Sequence, residues 1–307
     1  MIFNKFFILF KIGRKIGKSN IINIVSETHK IPVFIKLFFN LLAFSFSSSN
    51  NTKSKGKENL SESIQEMGTT FIKLGQFLAT RPDIIGEKLS KELESLQDKL
   101  PPFSKKEAEK IIIENLGQSN FDDIIDLSEP IAAASIAQVH KAKIKEDNII
   151  KNVAIKVLRP NIKKIFNDEI DAIMLLAYIV ESLVAKTKRL KLIEVVFLFK
   201  EITNHEMDLR FEAAAANEYA ENTKNDLGFF VPKIYWNFTS ESVLTLDWVD
   251  GVSIREKDLL KEKNIETSKI ATNLIQHFLR HAVRDGFFHA DMHLSLIHIS
   301  EPTRLHG

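Results

Sequence analysis

Between Ile136 and Leu158 two runs of alternating apolar residues flank a short polar segment. Ile136 to Ile144 and Val153 to Leu158 each carry the period of two that a half-buried strand requires, and Lys145 to Asn152 between them has polar, Asn-containing turn chemistry. The pair predicts an antiparallel β-hairpin. It is entered through Ala132, Ala133, Ala134, Ser135, Ile136 and Ala137, and its second strand reads Val-Ala-Ile-Lys, with Lys156 between apolar neighbours. Taken alone, Val-Ala-Ile-Lys reads more readily as a plain strand with a snorkelling lysine. The alanine loop upstream changes that reading, because backbone that approaches a polyphosphate closely needs small side chains.

A small-residue loop folding over phosphates, with a lysine on the third strand reaching them, is the nucleotide grip of protein-kinase-like enzymes. Here the loop is built of alanine where such enzymes use glycine. Alanine adopts positive φ only at a cost, so this loop is expected to be stiffer than a Gly-x-Gly-x-x-Gly loop.

The 307-residue chain is long enough for one large or two modest domains, with the 27% charged and 44% apolar residues of an ordinary globular protein. It has no cysteine, which excludes disulfides, thiolate metal sites and a catalytic thiol. The net charge of +2 is unevenly placed: Met1 to Lys57 carries ten Lys/Arg against Glu27 alone, leaving the rest of the chain acidic. That basic arm is rich in Phe, Ile and Leu, but its longest apolar run, Ile31 to Phe46, is interrupted by Lys36 and Asn40 and falls short of the ~20 residues of a spanning helix. Two readings fit it: an amphipathic stretch in the interface of an anionic membrane, and a helix docked on its own domain. Ser47 to Lys57 has linker composition.

Helical periodicity returns at Leu60, Ile64, Met67, Phe71, Leu74 and Leu78, breaks at Arg81-Pro82-Asp83, and resumes from Leu89 to Leu96. Inside the first helix stands Lys73-Leu74-Gly75-Gln76. Glycine in a helix interior costs ~1 kcal/mol relative to alanine, so Gly75 implies close packing against another backbone. Ser104 is placed to cap a helix running Glu107 to Leu116, with Glu107 completing a capping box. After the hairpin, Pro160 to Lys188 carries a helical stripe, and a further helix is expected to hold Glu206 to Glu212, with Asp208 and Glu212 four apart on one face. Phe229 to Ile234 and Val243 to Val249 read as strands, and Thr267 or Ser268 caps a helix over Ile270 to Arg284 whose apolar stripe includes Leu279 and Val283.

Phe71-Ile72-Lys73-Leu74-Gly75-Gln76 with Arg81-Pro82-Asp83, followed by Ala-Ala-Ala-Ser-Ile-Ala-Gln-Val-His and Val-Ala-Ile-Lys-Val, resembles the UbiB family of atypical protein-kinase-like proteins over roughly Leu60 to His293. Members of that family carry a Lys-x-Gly-Gln helix before an alanine-rich loop. The resemblance implies an α+β, protein-kinase-like fold: a small lobe with an antiparallel sheet plus extra N-terminal helices. It divides the chain into an arm and linker (1–57), a helical extension with the Lys-x-Gly-Gln motif (58–128), a small lobe (129–250) and the start of a large lobe (251–293). It further implies that Glu206 and Asp208 form the family's Glu-x-Asp motif, which meets the helix of Lys73, Gly75 and Gln76, and that Glu212 pairs with Lys156. Adenine would bond to backbone near Leu246, Asp247 and Trp248. Asp291, in a His-Ala-Asp sequence standing where kinases have His-Arg-Asp, would orient or deprotonate the acceptor. His289-x-Asp291-x-His293 also admits a metal-site reading.

After His293 the family continues His-Pro-Gly-Asn and then supplies an Asp-Phe-Gly aspartate, whereas this chain reads Leu-Ser-Leu-Ile-His-Ile-Ser-Glu-Pro-Thr-Arg. Residues 294–307 are therefore expected to be foreign to the fold, with most of the large lobe and both of its Mg²⁺ ligands missing and the chain as printed inactive.

The implied function is that of an atypical kinase or ATPase supporting ubiquinone biosynthesis, peripheral on the cytoplasmic face of the inner membrane. ATP or ADP and Mg²⁺ would be its cofactors, and an anionic membrane or polyprenyl lipid and other ubiquinone-biosynthesis proteins its partners, with no nucleic acid. A nucleotide-binding scaffold that presents polyprenyl lipid without turnover is the second reading. A conventional protein kinase is the third.

Overall fold

The computed structural model describes residues 2–18, 21, 60–96, 100–253, 256–263, 266–288 and 298–299. Along the chain, α1 (Ile2–Lys18) is followed by α2 (Leu60–Met67), α3 (Thr69–Ala79), a single turn at Pro82–Ile85, α4 (Glu87–Leu93), α5 (Lys105–Leu116) and α6 (Gln118–Asp122). Strands β1 (Ile124–Ile125), β2 (Pro130–Ala133), β3 (Ala137–Glu146) and β4 (Ile149–Leu158) come next. Then follow α7 (Ile162–Leu183), α8 (Leu192–Glu206), α9 (Leu209–Thr223), β5 (Val243–Asp247) and β6 (Val252–Ser253). The described chain ends with α10 (Lys257–Glu262), α11 (Thr267–Arg280), a π-helical turn at His281–Asp285, and β7 (His298–Ile299). This is the α+β, kinase-like composition that the sequence predicts, with helices before the sheet and two more between β4 and α9.

The chain divides into two units. The first comprises residues 1–103, 132–138 and 158–207. Its helical core is Leu60, Leu89, Leu93 and Leu96, with Ile64, Leu78 and Ile85 packed against it. The continuous helix expected from Leu60 to Leu78 is broken at Gly68, whose φ of 103° lies where glycine alone is unstrained. α7 and α8 form an antiparallel pair joined by Lys200 to Asp171 (3.2 Å), and the Ile193 N–H donates to Glu181 at 3.1 Å. α1 packs on α7, burying Ile12, and Lys15 donates to the Met67 carbonyl at 2.7 Å. Ile2–Lys18 is thus docked on its own unit, the second of the two readings of the arm. The apolar run from Ile31 to Phe46 lies outside the described residues.

The second unit comprises residues 104–131, 139–157 and 208–307. Sheet order is β1-β3-β4-β5, with β2 also on β3. Ile144, Val153, Ile155, Val157 and Val243 are fully buried. The turn between β3 and β4 is not the eight-residue segment expected but two residues, Asp147 and Asn148, with φ of 51° and 62°. That is the pattern of a type I′ hairpin turn, in which short polar residues tolerate left-handed backbone and lengthen both strands. The Ser104–Glu107 capping box is present, with the Glu107 N–H donating to Ser104 Oγ at 3.3 Å and Glu107 Oε2 accepting from the Ser104 N–H at 3.2 Å.

Three further expectations need correction. Glu206 to Glu212 is not one helix: α8 ends at Glu206, Asp208 is the N-cap of α9 with its carboxylate accepting from the Arg210 N–H (3.1 Å), and so Asp208 and Glu212 do not share a helix face. The capping preference of Asp outweighs the continuous apolar pattern around it. Phe229 to Ile234 forms no strand, only an isolated bridge from Ile234 to Leu246, because Pro232 withholds a ladder donor. α11 begins at Thr267 without the side-chain cap expected, and its apolar stripe is open at Leu279 and Val283, 53% and 85% exposed. His298 and Ile299 of the 294–307 tail pair with Ser253 and Val252 in a separate two-stranded sheet.

No helix among the described residues is long and apolar enough to cross a membrane.

Candidate functional site

In the second unit, alternation along β4 buries Val153, Ile155 and Val157 and turns Lys156 to the other face. α9 is fixed by its buried Leu209 and Ala213, four residues apart, and by the Leu209 N–H donating to the Glu241 carbonyl at 3.0 Å. That anchoring brings Glu212 to Lys156. The Lys156 ammonium donates to both carboxylate oxygens, at 2.7 and 2.9 Å. The side chains are 27% and 50% exposed, so the pair adds no more than about 1 kcal/mol to stability. Its effect is positional: a four-carbon stem with many rotamers is held in one place. An ammonium has three donors, and two are directed at Glu212.

The stretch expected to meet adenine belongs to the edge of the same sheet. Leu246 stands opposite Ala154 and Asp247 opposite Val153. The Asp247 N–H donates to the Lys233 carbonyl and the Trp248 N–H to the Asn152 carbonyl, each at 3.0 Å. Both of those backbone donors are therefore engaged within the protein. The Asp247 carboxylate accepts from the Tyr235 hydroxyl at 2.6 Å, and burial together with that bond holds the Tyr235 phenol well above its ordinary range. Lys141 lies 4.3 Å above the Trp248 ring, and the Trp248 indole donates to Asp250 at 2.7 Å. An adenine ring here would meet carbonyls or the chain beyond Trp248.

In the first unit, Ala132 and Ala133 end β2, and Ala134 to Ala137 make a tight reversal in which the Ala134 N–H donates to the Ala137 carbonyl at 2.8 Å. No residue from Ala132 to Ala137 has positive φ, in accord with alanine there, and Ser135 and Ile136 are buried. Arg159 holds this turn. Its guanidinium donates to the Ala134 carbonyl at 3.1 and 2.8 Å, to Pro101 at 3.0 Å and to Leu100 at 3.3 Å, and its own N–H donates to Ile136 at 2.8 Å. Gln138 fastens the next residue outward, exchanging two hydrogen bonds with the Phe103 backbone at 2.9 and 3.2 Å. Sequence reasoning overlooked both residues. A signal for Arg159 existed: counted back from a turn at Asp147-Asn148, it falls opposite Ile136.

On α3, Lys73 pairs with Glu206 at 3.1 Å. Gly75 is buried, and a Cβ there would run into Leu96 and come within 3.4 Å of Ile64. The reason for the glycine is close packing, as expected, but against side chains. Gln76 is half-buried. Asp208 takes its place at the start of α9 with the Arg210 guanidinium on it at 2.9 and 2.6 Å. Asp291, His289 and His293 lie outside the described residues.

Residues 95–306 match the family described as the ABC1 atypical kinase-like domain. The chain is 34% identical over 265 residues to a protein of Marinobacter nauticus named "Probable protein kinase UbiB", covering 86% of this chain and 48% of that protein. A Pseudomonas paraeruginosa protein of the same name is 30% identical, covering 95% of this chain and 54% of its own length. One from Cellvibrio japonicus is 33% identical, covering 86% and 47%. The chain spans about half the length of the curated relatives it matches.

Proposed function

The chain belongs to the UbiB family of proteins with an ABC1 atypical kinase-like domain, and from that premise we propose that it carries the fold of an ATP-dependent phosphotransferase or ATPase supporting ubiquinone biosynthesis. The observation that carries this reading is the two-point contact between Lys156 and Glu212, which fixes a cation where a strand lysine meets nucleotide phosphates. Bound ATP or ADP would be held through the remaining ammonium donor, and ATP supplies the phosphoryl group. By the resemblance, Ala132 to Ala137 contribute backbone to the phosphates, Asp291 orients the acceptor, and Lys73, Gly75, Gln76, Glu206 and Asp208 form the regulatory motif. The described residues do not fit Mg²⁺ at the lysine: a hard cation needs several oxygens, and Glu212 directs both of its own at Lys156.

Location at the cytoplasmic face of the inner membrane, with an anionic or polyprenyl lipid as partner, is part of the same proposal. It is supported by the basic N-terminal segment and by the exposed Tyr178, Leu183 and Phe197 on α7 and α8. Those apolar side chains also favour a second reading, a nucleotide-binding scaffold that presents lipid without turnover. ATP turnover of this chain and of the full-length Marinobacter nauticus relative, measured with and without vesicles containing anionic and polyprenyl lipid, separates the two. Lipid-stimulated hydrolysis supports the enzyme, and nucleotide binding with no hydrolysis supports the scaffold.

A further inference from the structure

Behind the second unit's α9, a buried carboxylate gathers two histidines. Asp226 stands just past the end of α9, and His277 and His281, four residues apart, project from one face at the junction of α11 and the π-helical turn. One ligand atom from each of the three lies within 4.8 Å of the others. We propose that Asp226, His277 and His281 form a binding site for a divalent first-row metal ion of the zinc type, a site separate from the nucleotide-binding lysine.

Three observations support it. The donor set, two imidazoles and a carboxylate, is one that Zn²⁺ takes with a fourth position left for water. The Nδ1 of His277 is buried with no hydrogen-bond partner, the kind of orphaned lone pair or N–H that a ligand resolves. The backbone from His281 to Asp285 is π-helical, an irregularity that gathers at functional positions.

The ligands need little movement. Bonds of about 2.0–2.1 Å in a tetrahedral site separate ligand atoms by roughly 3.4 Å, so the three must close by at most about 1.4 Å, within reach of side-chain rotation. His281 Nε2 is 2.9 Å from Asp226 Oδ2, and the ion would take the place of the proton between them, which leaves to solvent. The other nitrogen of His281 is 2.7 Å from the Tyr219 hydroxyl. With Nε2 on the metal, Nδ1–H donates to that hydroxyl oxygen, the outer contact that fixes a ligating histidine. Phe229 packs against both imidazoles, with ring centroids 5.3 and 4.8 Å away, and excludes water from that side.

Two guanidiniums oppose a cation here. Arg284 donates to Asp226 at 2.8 and 3.0 Å, and Arg280 approaches to 3.5 Å. Their side chains are 42% and 46% exposed, so each can turn into water, and Asp285 offsets the charge of Arg284 at 2.6 Å.

The test is a Co²⁺ titration of the full chain, read by the visible absorption of tetrahedral Co²⁺, with Zn²⁺ added to displace it. One equivalent of tetrahedral Co²⁺ is expected, lost in His277→Ala, His277→Gln and Asp226→Asn, and retained in His293→Ala. Tyr219→Phe should weaken binding roughly 10–100-fold. Far-UV circular dichroism checks that each variant is folded, and the titration of the unaltered chain decides the matter even if one is not. No tetrahedral band in the unaltered chain, a band that survives folded His277→Ala, or a band lost only in His293→Ala would overturn the assignment.

Discussion

Lys73 on α3 and Glu206, the last residue of α8, are joined at 3.1 Å in the first unit, linking the Lys-x-Gly-Gln helix to the start of the Glu-x-Asp pair. Glu206 is 40% exposed and Lys73 17%, which places the pair among contacts that orient more than they stabilise. A double-mutant cycle with Lys73→Met and Glu206→Gln, followed by urea unfolding, should give a coupling of no more than about 1 kcal/mol. A coupling of several kcal/mol would mean that the contact holds the unit together.

Gly75 makes a sharper prediction. Alanine should gain about 1 kcal/mol of helix propensity, yet its Cβ meets Leu96 and Ile64. Overpacking of this kind costs ~1–3 kcal/mol, so Gly75→Ala should be neutral to destabilising and Gly75→Val clearly destabilising in thermal melts. Leu96→Ala made together with Gly75→Ala should recover part of the loss. A stabilised Gly75→Ala would show that the helices can move apart freely.

His140 gives a pH dependence. Its imidazole is fully buried on β3 and donates from Nδ1 to the Ser128 carbonyl at 2.8 Å, and burial lowers its pKa below the ordinary 6.5. The folded state therefore resists a proton that the unfolded state accepts. Stability from this group is present above pH 6.5 and is lost as the pH falls below that value towards the folded pKa. Urea midpoints measured from pH 8 to pH 5 should fall more steeply in the unaltered chain than in His140→Gln. Parallel slopes would contradict the buried neutral imidazole.

The hairpin, the lysine and its acidic partner were legible because each rests on a local pattern: alternation in β3 and β4, and the resemblance carried by consecutive motifs. The break between α8 and α9 was not, because Asp208 competes as a cap against an apolar periodicity that runs through it. The same limit applies to Phe229–Ile234, whose β-forming side chains conceal the missing donor of Pro232. The guanidinium contacts of Arg159 beyond the hairpin and the Asp226 cluster escaped for a different reason. Their partners come from distant sequence, Leu100 and Pro101 for the first and α11 for the second, and no spacing rule connects them.

We propose that Lys156, held by Glu212, meets the phosphates of an adenine nucleotide. Equilibrium binding of fluorescent ATP and ADP analogues to the full chain, Lys156→Ala and Glu212→Gln tests it most directly. A charge-assisted hydrogen bond is worth about 1.5–3 kcal/mol, so Lys156→Ala should lose roughly ten- to a hundredfold in affinity. Glu212→Gln should lose less, because the ammonium remains but is no longer fixed. Equal affinity of all three proteins for both nucleotides, with their folds intact, would mean that Lys156 takes no part in holding the phosphates.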